Sequence, residues 1–125
     1  MIGIVDRGRR NIGSVTIAVA SLVGVPAVID SPSRIDGCER IILPGVGSFF
    51  NSMTEMTRRG FDTALREYAA NGGRILGICL GMKLKASLGT ENGDIEGIGL
   101  IPGRVRKMDV PDDEDNKKAL LLCSI

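Results

Sequence analysis

The chain has 125 residues and a net charge of +1, from 16 basic and 15 acidic side chains. That balance excludes the basic excess that draws a protein to nucleic acid or to an anionic membrane surface, and the length fits one domain burying roughly two-thirds of its unfolded surface. Three cysteines without CxxC spacing and no histidine argue against a disulfide scaffold and structural zinc, and fit a reducing cytoplasm.

In chain order, Ile2-Gly3-Ile4-Val5 reads as a buried strand ending at Asp6, with no charged leader before it. Asn11 is a candidate cap for a helix to Leu22, on which Ile12, Val15, Val19 and Leu22 share a face. Val25 to Ile29 reads as a second strand, Ser31-Pro32-Ser33 as a turn or short helix start, and Arg40 to Leu43 as a third strand broken by Pro44-Gly45-Val46-Gly47. Asn51 to Arg59 reads as a loop with a helical turn. Phe61 to Asn71 reads as a helix stopped by Gly72-Gly73. Arg74 to Ile78 is the next strand and Leu80 to Leu88 the next helix. Ile95 to Val105 holds two short strands, residues 111 to 115 an acidic loop, and Ala119 to Ile125 an apolar run of strand character. No apolar run reaches the roughly 18 residues of a membrane span. Strands and helices that alternate, with near-continuous apolar strands, predict a parallel sheet covered on both faces.

Gly77-Ile78-Cys79-Leu80-Gly81 carries the chemistry. A small residue on each side of a cysteine, between a buried strand and a helix, makes a sharp turn that presents the sulfur at the strand tip beside backbone N–H groups. The following helix N-terminus is expected to favour the thiolate. On the local sequence alone, a nucleophile and a buried structural cysteine both remain open. Pro44-Gly45-Val46-Gly47 follows a strand expected to neighbour that of Cys79, so its N–H groups are candidate oxyanion donors, or a plain tight turn. Cys38 and Cys123 read as packing residues. With no histidine to move a proton, the carboxylates Asp6, Asp30, Glu91, Glu96 and Asp109 are the acids at hand, and none replaces imidazole easily at neutral pH. Arg7, Arg9 and Arg10 form a basic cluster, either a solvated loop or a contact for phosphate or an acidic partner.

Ile2 to Asp6, Asn11, Pro44 to Phe49, Gly77 to Met82 and Gly99 to Gly103, in this order, resemble the class I glutamine amidotransferases, and most of all glutaminase subunits of histidine biosynthesis. The resemblance covers Met1 to about Met108. It implies a three-layer α/β sandwich with a mostly parallel central sheet of flavodoxin or Rossmann type, of which residues 1–125 form part of one domain. It further implies a cytoplasmic protein needing no cofactor or metal, which hydrolyses glutamine to glutamate and ammonia through a glutamyl thioester and passes the ammonia to a cyclase partner. In that reading Cys79 corresponds to the nucleophile, and the backbone of Val46, Gly47 and Leu80 to the oxyanion region, with Gly45 in the same segment. Glu91 corresponds to a group helping to hold the amino acid end of the substrate, Gly45 and the position of Lys83 to further substrate-binding positions, and Arg7 and Asn11 to the partner interface.

Three departures stand out. Arg7 and Arg10 replace a family aromatic and a family glycine, and an arginine in place of that glycine strains a turn or adds an exposed charge. Lys83 replaces a glutamine; it can pair with a substrate carboxylate but does not offer amide geometry. The family's catalytic histidine and glutamate lie in a C-terminal part without counterpart here, and the tail from Lys118 does not match the family continuation. The expectation is therefore a chain that is catalytically incomplete alone. The alternatives are a non-catalytic binding or regulatory module, docking on the cyclase through the Arg7–Asn11 face or pairing with itself through an open sheet edge, and a hydrolase of small esters or amides using Cys79 with a carboxylate.

Overall fold

A computed structural model describes residues 1–8, 12–91 and 93–108. Four parallel strands form the central sheet: β1 (Ile2–Val5), β2 (Ala27–Ile29), β3 (Arg40–Gly45) and β4 (Arg74–Cys79), in the order β2-β1-β3-β4. That order is the one found in flavodoxin-like doubly wound folds. Register places Ile4 opposite Ile42, Ile42 opposite Leu76, and Gly45 opposite Cys79.

Alternation along the strands sends side chains to two faces. Val5, Ile29, Ile41 and Leu43 point to one face, where α2 (Phe49–Arg59) and α3 (Phe61–Ala70) bury Phe49, Met53, Met56, Phe61 and Leu65 against them. Ile4 and Ile42 point to the other, under Val19 of α1 (Gly13–Val23). Coverage of that second face stops short: Leu76 of the edge strand β4 is 60% exposed and Ile78 is 38% exposed. The expected two-sided burial thus holds for β1 and β3, whereas β4 is open on one face.

The turn at Ser31-Pro32-Ser33 is a 3-10 helix over Pro32–Gly37. Several elements differ from expectation. The segment from Phe49 is a full helix from its first residue, because Ser48 accepts a hydrogen bond from the Asn51 N–H at 3.3 Å as its cap, while Phe49, Met53 and Met56 form one buried stripe. After β4 the helix α4 runs only from Leu80 to Lys83. The next residues instead form β5 (Ala86–Gly89), which pairs antiparallel with β6 (Ile95–Glu96) and parallel with β7 (Ile101–Val105) in a separate three-stranded sheet. Arg66 of α3 ties the loop before β7 to the core, donating to the Ile98 carbonyl at 2.8 Å. The apolar run from Ala119 and the acidic loop before it lie outside the described residues. No described helix is long and apolar enough to cross a membrane.

Candidate active site

Cys79 ends β4 and precedes α4. Its φ of 56° and ψ of −121° make it the only non-glycine residue with positive φ among the described residues. A conformation of this kind costs about 1–3 kcal/mol for a residue with a Cβ and persists only where the surroundings impose it. Here they do. A Cβ on Gly77 would lie 2.5 Å from the Met82 Cα and 2.6 Å from its nitrogen, and one on Gly81 would fall on the carbonyl oxygen of Leu43. The two flanking glycines therefore let α4 turn back tightly against β3 and β4, and Cys79 is exposed at the apex.

The neighbouring strand contributes the second half of the site. Gly45 stands opposite Cys79 in the parallel register, and β3 runs on through Pro44, so the proline does not break it. Val46 and Gly47 follow the strand end, with Gly47 at φ 99°. Leu80 carries the first backbone N–H of α4, a group for which a helix has no internal acceptor. Cys79, Gly45 and Val46 all line one cavity of about 140 Å³. Because α4 spans only four residues, the expected long helix behind the sulfur is missing.

Lys83 and Glu91 form an ion pair with each other: Nζ lies 3.4 Å from Oε1, with the side chains 13% and 22% exposed. They do not line the cavity at Cys79. Arg7 does; its Nη2 donates to the Pro44 carbonyl at 3.3 Å. Asn11, with Arg9 and Arg10, lies outside the described residues, as do Asp109 and Cys123. Among the other carboxylates, Asp6 accepts from the Gly8 N–H at 2.8 Å and Asp30 pairs with Arg34 at 3.3 Å. No described carboxylate lines the Cys79 cavity. Cys38 is buried, and burial pushes its thiol above the ordinary value, as a packing residue requires. Among the described residues no group of three or more potential ligands is placed to hold a metal.

Arg59 is not marked by any sequence motif, yet it joins the ends of β1 and β2. It donates to the Asp6 carbonyl at 3.3 Å and to the Asp30 carbonyl at 2.7 Å, while its guanidinium lies 5.1 Å from the Phe61 ring centroid. Its position at the end of α2, next to the left-handed Gly60, is the only local signal.

A parallel sheet in the order β2-β1-β3-β4, with a strained cysteine at a strand tip faced by a glycine-rich strand end, defines a flavodoxin-like α/β domain. Residues 19–110 match the CobB/CobQ-like glutamine amidotransferase domain, and the chain belongs to that family. Curated relatives similar to it include the imidazole glycerol phosphate synthase subunit HisH of Chlorobium luteolum, 43% identical over 91% of this chain and 57% of the relative. Another is the subunit of the same name from Desulfitobacterium hafniense, 46% identical over 84% of this chain and 50% of the relative. The chain thus spans about half the length of the curated relatives it matches. A crystal structure of a glutamine amidotransferase superposes with a TM-score of 0.72 at 16% identity, covering 85% of this chain and 56% of that one, and shows the shared fold.

Proposed function

We propose that residues 1–125 form part of one glutamine amidotransferase domain and supply the nucleophile and oxyanion side of a glutaminase for imidazole glycerol phosphate synthesis. The observation carrying this reading is the positive φ of Cys79 between two sterically required glycines, in register with Gly45. The Cys79 sulfur adds to the side-chain amide carbon of glutamine. The resulting oxyanion takes hydrogen bonds from the backbone at Val46, Gly47 and Leu80. The C–N bond breaks as a proton reaches nitrogen, ammonia leaves and a thioester remains. Water then adds to the thioester carbon and releases glutamate with the thiol. Lys83 and Glu91 hold the carboxylate and ammonium of the substrate.

With no histidine in these 125 residues, the group that moves the protons comes from outside them, in further sequence or in another chain. That deficit removes factors of about 10²–10⁴ in rate. A cyclase subunit, the partner suggested by the relatives' name, docks at the Arg7–Asn11 face and receives the ammonia. The edge strand β4, with Leu76 and Ile78 exposed, is where a second copy would pair. The reading is tested by ammonia release from glutamine with and without the cyclase, beside Cys79→Ala. Little release alone, a rise with the partner and none from Cys79→Ala are expected; a rise that survives Cys79→Ala contradicts the assignment.

A further inference from the structure

Among the described residues, Lys83–Glu91 is the only ion pair in which both side chains are sheltered, at 13% and 22% exposed. In the next most sheltered pair, Arg66–Asp62, the arginine is 44% exposed. The Lys83–Glu91 contact is also long. Nζ lies 3.4 Å from Oε1, against about 2.7–2.9 Å for a well-made charge-assisted bond. A pair so placed is costly to leave half-made and leaves room for a better partner on each side. The backbone on both sides is fixed. After Lys83, the last residue of α4, the N–H groups of Leu84 and Lys85 donate to the carbonyls of Leu80 and Met82 at 3.0 and 3.2 Å. Before Glu91, the Thr90 N–H donates to the Val105 carbonyl at 2.8 Å, and Glu91 itself bridges to Gly93. Opening the pair is therefore a rotation of two side chains. Because α4 starts directly after Cys79, Lys83 stands about one helical turn, roughly 6 Å of rise, from the cysteine.

We propose that the Lys83–Glu91 pair is an internal lock on the amino acid subsite, opened by exchange of charges. A zwitterionic amino acid enters between the two side chains, gives its carboxylate to Lys83 and its ammonium to Glu91, and turns one loose ion pair into two. This rests on the glutaminase reading above and adds how the site selects its ligand. A ligand with one charge breaks the pair and leaves the other member unmatched in a sheltered place, a cost that outweighs the single contact formed. The site therefore takes free amino acids, which bring both charges together, and rejects glutamine capped at either end, glutamine within a peptide included.

The test uses the full chain with glutamine, with 4-carbamoylbutanoate, which lacks the ammonium, and with glutamine α-amide, which lacks the carboxylate. Calorimetry reads binding, and protection of Cys79 from iodoacetamide, followed by peptide mass, reports whether the ligand reaches the sulfur. In the unaltered chain each singly charged analogue should bind at least about tenfold more weakly than glutamine. The variants should produce gains. Glu91→Gln releases the lysine and should tighten 4-carbamoylbutanoate by about tenfold over the unaltered chain, and Lys83→Gln releases the glutamate and should do the same for the α-amide. Glutamine loses one contact in each variant but has no pair to open, so its binding should change less. A pair that only staples α4 to the strand after it gives no such gains. Buried Cys38 must stay unreactive in a variant, which shows that it has folded, and either folded variant alone decides. A folded variant in which the matching analogue gains nothing overturns the lock; glutamine still shielding Cys79 would then leave the glutaminase reading standing. Gains without any shielding of Cys79 by glutamine sustain the lock and count against that reading.

Discussion

Cys79 holds a backbone conformation that glycine takes freely and a residue with a Cβ does not. At most positions glycine is less stable than alanine because it is looser in the unfolded chain. At position 79 the order should invert: Cys79→Gly is expected to be more stable than Cys79→Ala by about 1 kcal/mol, measured by urea denaturation. An alanine variant as stable as the glycine variant would show that the turn carries no strain. Gly81 is constrained differently, by a carbonyl where a Cβ would sit. Gly81→Ala should cost about 3 kcal/mol or more, seen as a lower denaturant midpoint. A loss under about 1 kcal/mol would mean that α4 does not pack on β3 as described.

At the scale of elements, Arg59 joins the end of α2 to the ends of β1 and β2 through two backbone carbonyls. Arg59→Leu should lower stability by about 1–3 kcal/mol, since each of those bonds involves a charged donor; an unchanged urea midpoint would make the contacts incidental. No motif announces this residue, because its partners are main-chain atoms 29 and 53 residues away. The strands and the cysteine turn were legible for the opposite reason. Ile2–Val5, Arg40–Leu43 and Arg74–Ile78 are short, largely apolar runs bounded by turn residues, and the glycines around Cys79 report a local crowding visible within five residues. The stripe Phe49, Met53, Met56 was present in the sequence but diluted by the polar residues between. Ala86–Gly89 leaves helix for strand because Ile95–Glu96 and Ile101–Val105 pair with it, and such pairing is not written in the segment itself. Val25, expected at the head of the second strand, is 93% exposed, and β2 starts at Ala27.

For the whole molecule, the two described cysteines differ in setting, Cys38 buried and Cys79 exposed. Cys38 is packed into the main core, and the Tyr68 hydroxyl donates to its carbonyl at 3.0 Å. Burial raises both the Cys38 thiol and the Tyr68 phenol above their ordinary values. The folded state therefore keeps protons that the unfolded chain gives up. Stability is complete below the unfolded thiol value of about 8.5 and falls as pH rises past it. Urea midpoints should decline from about pH 8 to pH 10, and decline less in Cys38→Ala; a midpoint that climbs over this range would contradict the assignment. Cys79, by contrast, stands exposed at the sheet's carboxyl edge, where its strained turn and the Gly45 strand end converge. In the function proposed above, this sulfur attacks a glutamine side chain. The most direct measurement of this is the site and rate of covalent labelling by an electrophilic ketone shaped like glutamine, compared with the same warhead lacking the amino acid end. One adduct is expected, on Cys79, formed faster with the glutamine-shaped reagent and slowed by free glutamine. Equal rates with both reagents, or an adduct on another cysteine, would contradict it.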